Sequence, residues 1–255
     1  MTEPSAPPQH LPPRPRATAH LAARIDALLP QTQCTRCGYE DCQAYAVAIA
    51  EGEAPINRCS PGGSEGIARL ATLTGQRPEP LDPDCGSEGE RNVVWIDEAW
   101  CIGCTLCIQA CPVDCIIGAH KRMHSVIESA CTGCELCLPA CPVDCIEVAS
   151  VTPGRSGWQA WSPAEADAAR QRYAERRVRQ QRLTGDHAAR LEAKAEHKLA
   201  HLDELTKANT PAELARKRAV IEAALARARA RRSRTGSCAG AAAGSGAPHP
   251  GRDRH

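Results

Sequence analysis

The strongest constraint in this chain is a repeated spacing of cysteines. Residues 101–116 read CIGCTLCIQACPVDCI and residues 131–146 read CTGCELCLPACPVDCI, which agree at 12 of 16 positions with an offset of 30. Each copy contains C-x2-C-x2-C-x3-C-P. In that spacing three closely set thiolates hold three irons of one cubane, and the fourth reaches across to a second cubane. A tight loop surrounds the metal with soft, negatively charged sulfurs and leaves backbone N–H groups to stabilise the sulfide charge. On that logic Cys101, Cys104, Cys107 and Cys141 hold one 4Fe-4S cluster, and Cys131, Cys134, Cys137 and Cys111 hold another. Zinc is the alternative metal, but it usually takes its thiolates from separated C-x2-C pairs rather than from a triplet followed by Cys-Pro.

Composition agrees that metal must support the fold. The chain has 255 residues with 16 Cys, no Phe, three Tyr and four Trp. Aromatic side chains normally bring much of the buried area of a large core, so something besides apolar burial must hold part of this protein. The longest apolar run, Ala44 to Ala50, falls far short of the roughly 18 to 20 residues that a membrane-spanning helix needs. The opening MTEPSAPPQHLPPRPR has neither an apolar core nor a cleavage pattern, so it is not read as a secretory signal. Thiols in this number are therefore expected in a reducing compartment, as metal ligands rather than disulfides.

The fold class expected is α+β: a small N-terminal Fe-S domain, a duplicated bacterial two-cluster ferredoxin domain and a charged α-helical C-terminal extension. Residues 1–18 read as a disordered Pro-rich arm. Residues 19–75 form the N-terminal domain, with helical spacing of Leu21, Ile25, Leu28 and Leu29 and short helices over 43–51 and 65–73. Residues 76–91, rich in Pro and Gly, read as a linker between two compact units. Residues 92–150 form the ferredoxin domain, with β-favouring stretches at 93–96 and 125–127 ahead of the two repeats. From 162 to 233 the composition favours helix, with capping boxes at Ser162–Glu165 and Thr210–Glu213 and a break expected near Thr184-Gly185-Asp186. Residues 234–255 read as a disordered tail.

A second set of four cysteines precedes the repeats as Cys34-x2-Cys37-x4-Cys42-x16-Cys59. A zinc ribbon would show a second C-x2-C, which is missing, and the spacing allows one more four-thiolate cluster. Cys115 and Cys145 stand outside the four-thiolate count and read as small buried hydrophobes. Asp114 and Asp144 are expected to cap a short following helix. Cys85 in the linker and Cys238 in the tail read as incidental thiols. His187, His197 and His201 lie on a charged helix without a third ligand and read as surface residues.

The text CTRCGYEDCQAYAVAIAEGEAPINRCSPGG, followed by a two-cluster ferredoxin module, resembles the RnfB/RsxB family, the ferredoxin-bearing subunits of Rnf/Rsx electron-transport complexes, over about Leu21 to Ala149. The resemblance implies that Cys34, Cys37, Cys42 and Cys59 bind a third 4Fe-4S cluster. It also implies electron transfer within a complex on the cytoplasmic side of the inner membrane, coupled to ion translocation. Where that family carries an N-terminal membrane helix this sequence has the Pro-rich arm, so any membrane association is expected to be peripheral.

Charge divides the chain. Residues 1–163 carry 11 Lys+Arg against 19 Asp+Glu, and residues 164–235 carry 18 against 10, balances of −8 and +8. The acidic part should attract a redox partner with a basic docking surface, or other subunits of a membrane electron-transport complex. The basic part lacks aromatics for stacking on bases, which places nucleic acid last among its partners. No nucleophile with its base, Walker loop or dinucleotide fingerprint is present, so the chain reads as an electron carrier without catalytic side chains of its own. A freestanding soluble ferredoxin feeding a cytoplasmic reductase is the first alternative. A metal-stabilised scaffold binding nucleic acid through its basic tail is the second.

Overall fold

A computed structural model describes residues 15–207 and 210–239, with the side chains of residues 15 and 231–239 outside that description. Two compact units divide after Val178. In the first, α1 (Pro15–Asp26), α2 (Cys42–Glu51) and α3 (Gly63–Thr74) enclose a core of Ile25, Leu29, Tyr45, Ile49, Ile67 and Leu70. The apolar stripe read at Leu21 to Leu29 is the face that meets α2. Asp41 starts α2 as its N-cap, accepting from the Ala44 N–H at 2.6 Å, and Gly52 ends it in the left-handed region that favours glycine.

The ferredoxin part contains β1 (Asn92–Ile96), α4 (Leu106–Ala110), β2 (Ile116–Ile117), β3 (Ser125–Val126) and β4 (Ile146–Ser150). β1 pairs antiparallel with β4, from Asn92 opposite Ser150 to Ile96 opposite Ile146, and β2 pairs antiparallel with β3. The strand before the first repeat thus joins the strand after the second, and the inner two join each other. The backbone repeats with the sequence. Gly103 and Gly133 have φ of 68° and 65°, Thr105 and Glu135 have 65° and 63°, and Asp114 and Asp144 have 52° and 49°. Left-handed residues at matching places are what folds each cysteine triplet into the same tight loop.

α5 (Pro163–Ala200) opens with the capping box read from the sequence: the Glu165 N–H donates to Ser162 Oγ at 3.2 Å and the Ser162 N–H donates back to Glu165 Oε2 at 2.9 Å. Its first four turns lie against the cysteine-rich part. Arg170 pairs with Asp26 at 2.9 Å, the Tyr173 hydroxyl donates to Asp41 Oδ2 at 2.9 Å, and Arg176 pairs with Asp114 at 2.5 Å. Ahead of α5, Trp158 donates its indole N–H to the Leu28 carbonyl at 3.1 Å and lies beneath Arg69, while Trp161 lies beneath Arg91. In the second unit the rest of α5, α6 (Leu202–Leu205) and α7 (Pro211–Ala239) bury Leu202 and Leu225, and Arg229 pairs with Glu192 at 2.7 Å and with Glu196. Among the described residues, no helix is long and apolar enough to cross a membrane.

Several expectations are corrected. Residues 76–91 are a strap rather than a linker between units, because both cysteine-rich parts lie in one compact unit. Asp82 donates its N–H to the Asn57 carbonyl at 2.9 Å, Asn57 Nδ2 donates to the Pro80 carbonyl at 2.8 Å, and Pro83–Cys85 forms a 3-10 turn. The break expected at Thr184-Gly185-Asp186 is absent, since one glycine costs a helix only about 1 kcal/mol relative to alanine and the flanks are strong helix formers. α1 begins at Pro15 rather than at Ala19, proline being suited to a first helical turn. The helical extension starts within the first unit, and its backbone continues to Ala239 rather than ending at 233. No helix follows Asp114, whose carboxylate meets Arg176 instead. Residues 1–14 of the expected arm, residues 240–255 of the tail and the Cys238 side chain lie outside the described residues.

Candidate metal centres

Cysteines lie close to one another in both cysteine-rich parts, and in the repeated part they come from both repeats. Cys101, Cys104 and Cys107 line one small cavity with Cys141, which arrives from the other repeat, and with Cys145, His124 and the aliphatic Ile96, Ile102, Val143 and Ile146. Burial pushes the Cys107 thiol up to about 11, and the neighbouring Cys104 and Cys101 add to that rise. At Cys141, burial raises and the backbone N–H groups of Val143 and Cys145 lower the thiol pKa, with a net fall. Cys145, not counted among the four, lies 3.5 Å from the Cys141 sulfur and is pushed up to about 12 by burial and by its bond to Cys141.

The second group mirrors the first. Burial pushes Cys134 and Cys137 each up to about 12, and both feel the charges of Cys111 and Cys131. Cys111, from the first repeat, shares a buried cluster with Cys131 and Cys137. The Cys115 sulfur lies 3.4 Å from that of Cys111. The contact holds the Cys111 thiol below its usual range and raises that of Cys115. Cys115 is buried, as a small hydrophobe would be, and its backbone N–H also donates to the Cys111 sulfur at 3.3 Å.

The third group is Cys34, Cys37, Cys42 and Cys59. Burial raises Cys42 well above the usual thiol range, with added repulsion from Cys59 and Cys34; burial likewise raises Cys59, beside Cys34 and Cys37. A buried amide chain shapes this loop. Gln31 donates to the Asp26 carboxylate at 2.9 Å, Gln33 Nε2 donates to Gln31 Oε1 at 2.8 Å, and the Cys42 N–H donates to Gln33 Oε1 at 3.0 Å. The buried Tyr45 hydroxyl donates to the Pro55 carbonyl at 2.8 Å and accepts the Arg58 N–H at 3.1 Å, which fixes the approach to Cys59.

Cys85, in the strap, is buried. It is 3% exposed and its sulfur lies 3.7 Å from the Asp82 carboxylate. No spacing rule points to it, because the strap places it there. Sequence reasoning also missed His124, 1% exposed, with Nδ1 at 3.3 Å from Cys107 Sγ and 3.7 Å from Cys101 Sγ. His197 and His201 stack at 4.7 Å between ring centroids, on the exposed side of α5 and its end.

The third and second groups meet. Thr132 Oγ1 donates to the Thr32 carbonyl at 3.0 Å, and Arg36 pairs with Glu135 at 2.7 Å, so the loop around Cys34 and Cys37 abuts the loop around Cys131 and Cys134. The cavity lined by Cys101, Cys104, Cys107 and Cys141, with aliphatic neighbours and no carboxylate in its wall, suits an iron–sulfur cubane. Among the described residues, no three His, Cys, Asp or Glu side chains converge on a single-ion position. A cubane spreads its thiolates around a cluster and does not require that.

Comparison with known proteins agrees. A family described as "4Fe-4S dicluster domain" matches residues 94–148, and one described as "Putative Fe-S cluster" matches residues 29–61. The RnfB/RsxB-type subunit of the ion-translocating oxidoreductase complex of Thiobacillus denitrificans is 60% identical over 107 residues, covering 42% of this chain and 57% of that protein. Its namesake in Azoarcus sp. is 58% identical, with 42% and 58% covered. The one in Alkalilimnicola ehrlichii is 54% identical over 155 residues, with 60% and 83% covered. The chain thus spans a little over half of the first two relatives and most of the third. No solved structure matches. With two Fe-S families matched in this order and a relative aligned over most of its length, the chain belongs to the RnfB/RsxB family of ion-translocating oxidoreductase complexes.

Proposed function

We propose that this chain is an electron-transfer subunit of an ion-translocating oxidoreductase complex and holds three 4Fe-4S clusters. The ligand sets are Cys34, Cys37, Cys42 and Cys59; Cys101, Cys104, Cys107 and Cys141; and Cys131, Cys134, Cys137 and Cys111. The observation that carries this reading is the exchange of the fourth cysteine between repeats, with Cys141 lining the first cavity and Cys111 beside the second triplet. A bound cluster supplies a one-electron couple whose potential depends on sulfur hydrogen bonds and burial. The chain's part is to hold the thiolates, exclude water and keep neighbouring sites close. The Thr132–Thr32 and Arg36–Glu135 contacts make the N-terminal site and the second ferredoxin site adjacent, which supports one continuous electron route. In this reading the chain docks on other subunits of the complex at the cytoplasmic face of the inner membrane, and ion movement belongs to the assembly.

Anaerobic iron and sulfide analysis, with EPR of the reduced full chain, tests it. About twelve irons per chain are expected from three cubanes. Stoichiometric zinc, or iron without a reducible signal, overturns the reading. Native fractionation with capture of integral partners tests the assembly, and a chain recovered free of every membrane subunit would refute that part.

A further inference from the structure

His124 distinguishes two sites that the repeat otherwise makes alike. Its ring is buried against the Cys101–Cys107 loop, with Nδ1 at 3.3 Å from Cys107 Sγ and 3.7 Å from Cys101 Sγ. Nε2 is also buried and has no hydrogen-bond partner among the described residues. That pattern selects one tautomer. A proton on Nε2 would leave a buried N–H unpaired and turn the Nδ1 lone pair toward two thiolates, whereas a proton on Nδ1 gives both sulfurs a donor. The fold makes room for the ring at Gly118, where a Cβ would lie 2.3 Å from His124 Cδ2. Thirty residues earlier, at the matching place ahead of the first repeat, stands Val94, buried and without a side-chain donor. Each ferredoxin site has a neighbouring fifth thiol, Cys145 or Cys115, but the imidazole belongs to one alone.

We propose that His124 is a positioning residue that donates Nδ1–H to the sulfurs of Cys107 and Cys101 and sets the potential of the site they hold above that of its repeat counterpart. The inference rests on the proposed cluster-binding function. A hydrogen bond to a ligand sulfur stabilises the reduced, more negative state more than the oxidised one, so it raises the potential. Electrons entering the chain then settle preferentially at the Cys101–Cys107 site, although the two ligand sets are identical in kind.

The experiment uses the anaerobically purified full chain, with its iron content measured first. In wild type labelled with nitrogen-15 histidine, pulsed EPR of the reduced protein should show one cluster coupled to an imidazole nitrogen and to an exchangeable proton. A second readout is an EPR-monitored redox titration of His124→Phe, which keeps ring volume without a donor, and His124→Asn, which keeps a donor near Nδ1. In the Phe variant one potential should fall, changing the electron-exchange constant between the ferredoxin sites about tenfold, equivalent to about 59 mV for a one-electron couple. The Asn variant should recover most of the difference. Full iron content with no histidine coupling in wild type, or unchanged potentials in His124→Phe, overturns the proposal while leaving the cluster reading intact. Absence of iron–sulfur clusters from wild type would instead overturn the underlying reading.

Discussion

Replacing Arg176 with alanine should release the start of α5 from the ferredoxin part. Arg176 is 7% exposed; it pairs with Asp114 at 2.5 Å and donates to the carbonyls of Gln109 and Ile108, at the C-terminal end of α4. A five-residue helix cannot satisfy those carbonyls itself, so the guanidinium acts as its cap. Breaking a buried ion pair costs about 3 to 5 kcal/mol. Asp114 is 30% exposed and water can replace part of what it loses, which brings the expected cost to roughly 2 to 3 kcal/mol. Alanine is the better helix former, so propensity works against the predicted loss and cannot imitate it. Hydrogen exchange reads local opening without requiring global unfolding. With a tenfold change for each 1.4 kcal/mol, amides over 166–178 should exchange roughly 30 to 150 times faster in the variant. Exchange within threefold of wild type, with iron content unchanged, would refute this account of how α5 is held.

Gly133→Ala places a Cβ 2.2 Å from the Asn92 carbonyl oxygen at φ +65°, whereas Gly154→Ala at φ +73° meets open space. The first should cost about 3 kcal/mol or more and the second about 1 to 2, and thermal scans under argon that rank them the other way would contradict the close-approach argument. Tyr173→Phe removes the 2.9 Å bond to Asp41 and should cost about 1 kcal/mol, whereas Asp41→Ala also removes the α2 cap and should cost at least twice that by the same scans. The Glu88 carboxyl is held low first by the Ser64 N–H at 2.8 Å and also by the Ser156 hydroxyl at 2.9 Å. Its folded value lies below the unfolded value near 4.5, so its stabilisation is full above that pH and is lost as pH falls through the folded value. Wild type should therefore melt above Glu88→Gln by a constant margin from pH 8 to about 5.5, shrinking below 4.5; a margin growing on acidification would show the sign to be wrong.

Much of the two-cluster half was legible because its information is local. The loop is set by cysteine spacing, by glycines at Gly103 and Gly133 and by the offset of 30, and the strand stretches ahead of each repeat appear as β1 and β3. The capping boxes at Ser162 and Thr210 were equally readable, because both partners lie within one helical turn. The strap at 76–91 misled because Pro and Gly mark the absence of regular structure, which is not the absence of contacts. Cys85 and His124 carried no signal for a related reason. Each reaches its buried position only after a long excursion of the chain closes, and no spacing within the motif anticipates it.

The sequence alone determined what chemistry is on offer: cysteines at cluster-type spacings, few aromatic side chains and two electrostatically opposite parts. These follow from residue type and short-range spacing, which survive without knowing how distant segments meet. Only the tertiary structure decided what surrounds the sulfurs: the imidazole beside Cys107, the further thiols beside Cys111 and Cys141, the Thr32–Thr132 junction and the arginines that hold the start of α5 within the first unit. Such contacts depend on the packing of segments up to 144 residues apart, and hydrogen bonds act over roughly 3 Å, so no one-dimensional pattern carries them.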